Sequence, residues 1–396
     1  MQRVIVLGAS GFLGRHVLAA LAASGWAAPV AVSRNPYAAP RTSLLPHGMR
    51  RDGDASDPTG PVSTERLACN ATRLADLLRV LAGADAVVNC TAGSPTDTVD
   101  VARALAQVPA DCRIVHVSSM AVYGAAAGRV DEASALPDGL GGYAGAKVAA
   151  ERALSGHPNH VVLRPGCIFG PGGEQWTLRI ARLLRARRLG DLGAAGDGAC
   201  NLAPLDDVAA AVLATLCRPV SGVAFNIALP DPPSWNAFLV CFAIALGATP
   251  VARVPARQLR LEARLAVPLH AAALALRRIS PQAATRLPDA LTPSLLALMR
   301  QDITLDHRRA DRLLGFARTP LGTALAQAAA SLRPAKSHPI VRTPVAWTPL
   351  ADPCIVAARA PVASAALAGR DLATRDLASG DLAADGLPAS GPAHAA

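Results

Sequence analysis

Tyr143 and Lys147 stand four residues apart within Tyr143–Leu154, a run whose composition predicts a helix. At that spacing two side chains share a face one turn apart. The chain holds three tyrosines and two lysines among 396 residues, so the chance of some tyrosine having a lysine four positions on is roughly 0.015. A free phenol titrates near 10 and is a poor base at neutral pH. A neighbouring ammonium, and any cationic ring beside it, favours the phenolate and lowers that value. Tyr143 would then take a proton from a hydroxyl as hydride leaves its carbon, or return one to an alkoxide in the reverse direction. Lys147 would also hydrogen-bond the ribose that carries such a ring. Ser119 lies 24 residues before Tyr143, at the end of a predicted strand. Its hydroxyl would hold the reacting oxygen in line with the phenol and stabilise developing charge. Ser118 is the second choice, and a serine here also suits a turn cap.

Such a trio needs a hydride carrier placed against it, and the first residues of the chain are built to hold one. Val4-Ile5-Val6-Leu7 reads as a buried strand of a parallel sheet. Gly8-Ala9-Ser10-Gly11-Phe12-Leu13-Gly14 follows, then an alanine/leucine run from Arg15 with good helix propensity. Strand, glycine turn and helix in that order are the context of a dinucleotide-binding fingerprint. The glycines let the backbone come close to a pyrophosphate, and the helix start offers unpaired N–H groups and a positive dipole end. The last glycine permits tight packing of helix on strand. Cofactor contacts are therefore expected at Gly8, Ser10, Gly11, Phe12, Leu13 and Gly14, and at Tyr143 and Lys147. The second strand, Pro29–Val32, ends at Ser33-Arg34 with no acid to bind a ribose 2′-hydroxyl. Arg34 would instead accept a 2′-phosphate, so NADP is preferred to NAD, with a solvated loop arginine as the alternative.

The elements that position these residues alternate. Strands are expected at Arg66–Cys69, Ala86–Cys90, Arg113–Val117 and Val161–Leu163, with helices at Thr72–Leu81, Val101–Gln107 and Tyr143–Leu154. That rhythm implies βαβ units and a parallel sheet. Ala92, in the small-residue turn Thr91-Ala92-Gly93, follows a strand end where ligands of such sheets bind. Residues 36–65 read as a long irregular connection. Further on, Trp176–Arg188 reads as a basic helix, Asp206–Cys217 and Trp235–Leu246 as helices, and Val223–Ala228 as a strand. Ala263–Leu276 is an apolar helix bracketed by arginines; a buried position is expected, with a membrane or partner surface as the alternative. The alanine-, proline- and glycine-rich stretch 334–396 reads as a disordered tail.

Composition sets bounds. Half of the residues are hydrophobic and 3% aromatic, so an Ala/Leu/Val core is expected. No apolar run reaches the ~18 residues of a membrane span. Eight scattered cysteines without a Cys-x-x-Cys suggest buried free thiols rather than disulfides or a metal site. Together with an opening that runs straight into the first strand, they point to a cytoplasmic protein. The net charge is +10, and residues 253–318 carry twelve arginines against five acids. Nucleic acid is not expected, because no aromatics interleave with them. A solvated face is one reading, and a field for a phosphate-bearing small substrate is the other.

The glycine motif, the segment Val117-Ser118-Ser119-Met120-Ala121-Val122-Tyr123-Gly124, and Tyr143–Lys147 with Glu151 together resemble the extended short-chain dehydrogenase/reductases of the NAD-dependent epimerase/dehydratase family. Leu163-Arg164-Pro165-Gly166-Cys167-Ile168-Phe169-Gly170-Pro171-Gly172 is similar to the family segment that borders cofactor and substrate, which adds Pro165 to the cofactor contacts. Pro204–Ala209, Phe225-Asn226 and Thr304–Pro320 resemble later landmarks, so the likeness runs over residues 1–330. It implies a doubly wound α/β Rossmann core over about 1–165 and a smaller, mainly substrate-binding lobe over about 166–330. It also implies hydride transfer at a secondary alcohol or ketone, foremost of a nucleotide-sugar, and a homodimer. The alternatives are a reductase of hydrophobic ketones or steroid-like alcohols, and a cofactor-sensing or scaffold protein without turnover. Asn70 stands where the family usually has an aspartate near the adenine, and Ala146 replaces a small hydroxyl residue. Met120-Ala121 replaces the Asp-Glu pair of sugar 4,6-dehydratases, so water elimination is not expected.

Overall fold

In the computed structural model of the chain, the described residues are 1–34, 64–279 and 291–333. The tail at 334–396 and nearly all of the 36–65 connection lie outside them. The centre is a seven-stranded sheet in which every neighbouring pair runs parallel. Its strands are β1 (Gln2–Leu7), β2 (Ala27–Ser33), β3 (Glu65–Ala68), β4 (Ala86–Asn89), β5 (Arg113–Val117), β7 (His160–Pro165) and β10 (Val223–Ile227). Their spatial order is β10-β7-β5-β4-β1-β2-β3. Chain order therefore reverses between β1 and β4, which opens a crevice at the carboxyl ends of the strands.

β1 shows why these residues form a central strand. Val4 to Leu7 are at most 1% exposed. Successive side chains point to opposite faces, so Val4 and Val6 join the core under α1 (Phe12–Ala23) and α6 (Leu205–Cys217). Ile5 and Leu7 join the core under α2 (Leu74–Leu81), α3 (Pro95–Leu105) and α4 (Gly142–Leu154). A strand covered on both faces needs this unbroken apolar run.

Several expectations change in detail. The seventh strand, β10, and the helix α6 before it belong to the central sheet unit, so the Rossmann core recruits residues well beyond 165. α3 begins at Pro95 rather than Val101. Ser94 caps it, its hydroxyl accepting from the Asp97 amide at 3.1 Å, and Pro95 occupies the first position where no donor is needed. The basic helix near Trp176 is a π-turn, Glu174–Leu178, followed by α5 (Arg179–Arg185). The aliphatic core holds for the sheet, but the lobe gathers aromatics. Phe169, the last residue of β8 (Cys167–Phe169), packs edge-to-face with Phe238 and Phe242 of α7 (Trp235–Ala245), with ring centroids 5.3 and 5.1 Å apart. Cys69, Cys90, Cys112, Cys167, Cys200 and Cys217 are free thiols, whereas Cys241 departs from the expectation and is disulfide-bonded.

The lobe is completed by α8 (Ala256–Ile279), α9 (Pro293–Arg300), β11 (Ile303–Leu305), α10 (Arg308–Leu313) and α11 (Leu321–Ser331). Two short sheets tie it on: β11 pairs with β6 (Gly128–Val130), and β8 with β9 (Leu202–Pro204).

Candidate active site

The carboxyl ends of β1, β2 and β4 enclose a cavity of about 380 Å³. Gly8, Ser10, Gly11, Phe12, Arg34 and Ala92 line it, together with Asn70, Thr72, Thr91, Gly93 and Asp97. Gly8 adopts φ +75°, and a Cβ there would sit 2.8 Å from the Cys90 carbonyl oxygen. A Cβ at Gly14 would lie 2.2 Å from the Gly8 oxygen. The turn is thus drawn in to a point that only glycine allows, leaving a backbone cradle at the start of α1. These residues fit a dinucleotide. Leu13 and Gly14 are buried in the first turn of α1 and do not line the cavity, so their part is to pack α1 onto the sheet. Asn70 Oδ1 accepts from the Thr72 hydroxyl at 2.9 Å, forming a turn at the cavity wall. Arg34 is well exposed at the rim, with Nη1 3.4 Å from Asp97 Oδ2.

A second cavity, of about 480 Å³, shares Phe12 with the first and contains Ser118, Ser119, Tyr143 and Pro165. β5 ends at Val117, and Ser119 caps the 3₁₀ turn Met120–Tyr123 by accepting from the Ala121 amide at 3.2 Å. Ser119 thus caps a turn and also lines the cavity. α4 brings Tyr143 to the same place. Its first turn presses so closely on the preceding loop that a Cβ at Gly145 would lie 1.7 Å from the Leu140 oxygen. Tyr143 and Ser119 line the same cavity.

Lys147 sits one turn further on and is buried, 3% exposed. Its Nζ donates to the Val117 carbonyl at 2.8 Å and lies 5.9 Å from the Tyr143 ring centroid. It lines neither cavity; it stands beneath them. Burial lowers its pKa from 10.5 to about 8, against weaker opposing effects of Cys90 and Glu151. The expected lowering of the Tyr143 pKa is not what the structure shows. Burial raises that phenol above its ordinary value, and the nearby Ser119 hydroxyl opposes the rise. The physical reason is that the ammonium turns to Val117 rather than to the phenol oxygen. Tyr143 remains 55% exposed, which limits the burial effect.

Under the trio lies a connected polar network. Ser118 Oγ is bonded to Glu151 Oε1, and Arg164 grips the same carboxylate, with Nη2 at 2.7 Å from Oε2 and Nε at 3.1 Å. Arg164 Nη1 donates to the Tyr123 hydroxyl at 3.0 Å, which donates to Asn226 Oδ1 at 2.7 Å. The paired side chains of Arg164 and Glu151 are 7% and 6% exposed. This network joins the ends of β5, α4, β7 and β10 behind Ser118, Ser119 and Lys147. The sequence motifs contained every member, but nothing in their spacing showed that they meet.

Residues of the second cavity that sequence reasoning missed include Met120, Trp176, Leu298, Gln301 and Ile303. They come from three separate stretches of chain and carry no local signal. Ile168 adds a further apolar wall, and Glu174 and Gln175 line its polar side. Among the described residues none that lines it is a lysine or arginine. Three of the lobe arginines pair with acids instead: Arg308 with Asp306, Arg318 with Asp311 at 2.6 Å, and Arg253 at 3.8 Å from Asp191. Among the described residues no group of histidines, cysteines and acids is placed to hold a metal.

A parallel sheet with a glycine cradle at its switch point, and a serine, tyrosine and lysine beside it, defines a nucleotide-dependent enzyme of the short-chain dehydrogenase/reductase type. The chain belongs to the NAD dependent epimerase/dehydratase family, which it matches over residues 4–228. A ceramide reductase of Caulobacter vibrioides is 30% identical over 252 residues, covering 62% of this chain and 71% of that protein. Among solved structures, a UDP-glucuronic acid 4-epimerase from Bacillus cereus in complex with NAD superposes with a TM-score of 0.56 at 16% identity, covering 83% of this chain and 98% of the other. A dTDP-glucose 4,6-dehydratase from Bacillus anthracis, also in complex with NAD, gives 0.59 at 14% identity, covering 84% and 96%. At these identities the likeness is one of fold.

Proposed function

We propose that the protein transfers a hydride between a nicotinamide cofactor and a secondary alcohol or ketone carried on a largely apolar substrate. One observation carries the substrate half of this reading. The cavity at Ser119 and Tyr143 is walled by Met120, Ile168, Trp176, Leu298 and Ile303, and it offers an acid, Glu174, where a diphosphate would need a cation. A nucleotide-sugar remains the second reading, drawn from the arginine-rich lobe, yet those arginines do not reach the cavity. The similarity to a ceramide reductase agrees with the apolar substrate.

The cofactor, when bound, supplies or accepts the hydride. Tyr143 moves the proton on the substrate oxygen, and Ser119 holds that oxygen and stabilises its charge. Lys147 lies one turn beneath the phenol, with its Nζ on the Val117 carbonyl. Met120 and Ala121 leave no acid–base pair for water elimination. Gly8, Ser10, Gly11 and Phe12 would hold the pyrophosphate side, and Arg34 a 2′-phosphate in preference to Asp97, which favours NADP.

The test is a panel of ligands with purified full-length protein. A long-chain keto-amide or steroid-like ketone should raise the melting temperature and oxidise NADPH, with a ligand at 100 times its Kd adding about 2.7 kcal/mol of stability. Stabilisation and turnover with UDP-sugars alone would refute the apolar reading. Tyr143→Phe should lower turnover by about 10²- to 10⁴-fold with NADPH affinity intact; unchanged turnover removes its proton-transfer role. NADPH should bind more tightly than NADH, and Arg34→Gln should erode the difference.

A further inference from the structure

The described part of α8 has two unlike sides. Leu259 and Ala266 are at most 2% exposed, and Glu262 between them pairs with Arg188, so this side docks the helix onto the lobe. The other side carries Arg257, Arg260, Leu261, Arg264, Leu265 and Pro268, all exposed. Their spacing of three, one, three, one and three places them on one helical stripe. Within it the arginines form one edge and the leucines the other. Leu261 is 58% and Leu265 46% exposed, among the most exposed large apolar side chains of the described residues. None of the three arginines is paired among the described residues. The uncharged run Leu265–Leu276 then leads to Arg277-Arg278. At 1.5 Å per residue this run is roughly 18 Å long, short of the ~30 Å of a bilayer core. No described helix is long and apolar enough to cross a membrane.

Apolar side chains beside a row of unpaired arginines match a surface that is greasy inside and negatively charged outside. A soluble protein partner would need an acidic rim and an apolar centre in the same stripe, which an anionic bilayer offers without further design. The helix also sits next to the substrate cavity: α8 packs on α9, whose Leu298 lines that cavity. Among the described side chains of α8, the buried position expected from sequence therefore holds on one side only.

We propose that the outer face of α8 docks the protein flat on an anionic phospholipid bilayer, with Leu261 and Leu265 entering the headgroup boundary and Arg257, Arg260 and Arg264 meeting lipid phosphates. A substrate dissolved in that bilayer would then reach the cavity from one helix away. The proposal does not depend on the substrate reading.

The experiment is vesicle co-sedimentation of the full chain. Vesicles of phosphatidylcholine with phosphatidylglycerol should carry the protein down, and vesicles of phosphatidylcholine alone should not; added salt should weaken the binding. Replacing Arg257, Arg260 and Arg264 together by Gln should lower partitioning on the order of 100-fold, from about 1 kcal/mol per arginine. Leu261→Ser with Leu265→Ser should lower it at least roughly tenfold. NADPH affinity and melting temperature should be unchanged in both variants, which shows that they fold. The proposal fails if the wild-type chain ignores anionic vesicles or if either variant binds them as well as the wild type. It fails equally if the leucine variant instead halves the sedimenting mass of the protein, which would make the stripe a contact between two copies. Vesicle binding without turnover of apolar ketones would refute the substrate reading alone.

Discussion

Lys147 should work against the stability of the fold that holds it. Its ammonium is 3% exposed and has one hydrogen bond, to Val117. A pKa lowered from 10.5 to about 8 by burial corresponds to roughly 3 kcal/mol, at about 1.4 kcal/mol per pH unit. The sign follows from proton counting. Below pH 8 the lysine is charged in both states, and the folded state bears the full cost of a buried cation. Between about pH 8 and 10.5 the unfolded chain binds the extra proton, so the cost fades as pH rises. Lys147→Met keeps the stem and removes the charge, at the loss of one hydrogen bond of about 1 kcal/mol. The variant should therefore be more stable than the wild type by about 1–2 kcal/mol at pH 7. It should lose that advantage by pH 10.5, with turnover abolished throughout. Urea unfolding of both proteins across pH 6–10.5 measures the difference directly. A variant less stable than wild type at pH 7, with a gap that does not move with pH, would refute the reasoning.

Two further changes test the supports of the site. Glu151→Ala strands the Arg164 guanidinium in a buried position and should cost about 3–5 kcal/mol, while the double change Glu151→Met with Arg164→Leu should cost clearly less than the two single changes added. Strict additivity in chemical denaturation would show that the pair is not coupled. Gly14→Ala would ordinarily gain helix propensity, but its Cβ would meet backbone at 2.2 Å. It should destabilise by about 1–3 kcal/mol and weaken NADPH binding; a variant as stable as wild type with unaltered affinity would contradict the packing role.

Much of the architecture was legible because it is written in local patterns. β1 and the glycine turn announce themselves through an unbroken branched run followed by three glycines, since a doubly covered strand tolerates nothing polar and a phosphate cradle tolerates no Cβ. The start of α3 was also legible, in Ser94-Pro95-Thr96-Asp97, but the apolar periodicity from Val101 onward masked it. The 24-residue length of α8 was not, because Arg260 and Arg264 interrupt the apolar run that suggested a shorter helix.

Residue types at fixed spacing carry the proposed chemistry: a tyrosine and lysine one helical turn apart, a serine at a strand end, and glycines at the first turn. Those signals are local, so the chain carries them without folding. The tertiary structure decided three further things. It turned the ammonium of Lys147 toward Val117 rather than the phenol. It gathered Met120, Ile168, Trp176, Leu298 and Ile303 from distant segments into an apolar cavity. It drew the lobe arginines away from that cavity onto neighbouring acids or out to the surface. Each depends on contacts between residues far apart in the chain, where charge totals and periodicities carry no information about distance or direction.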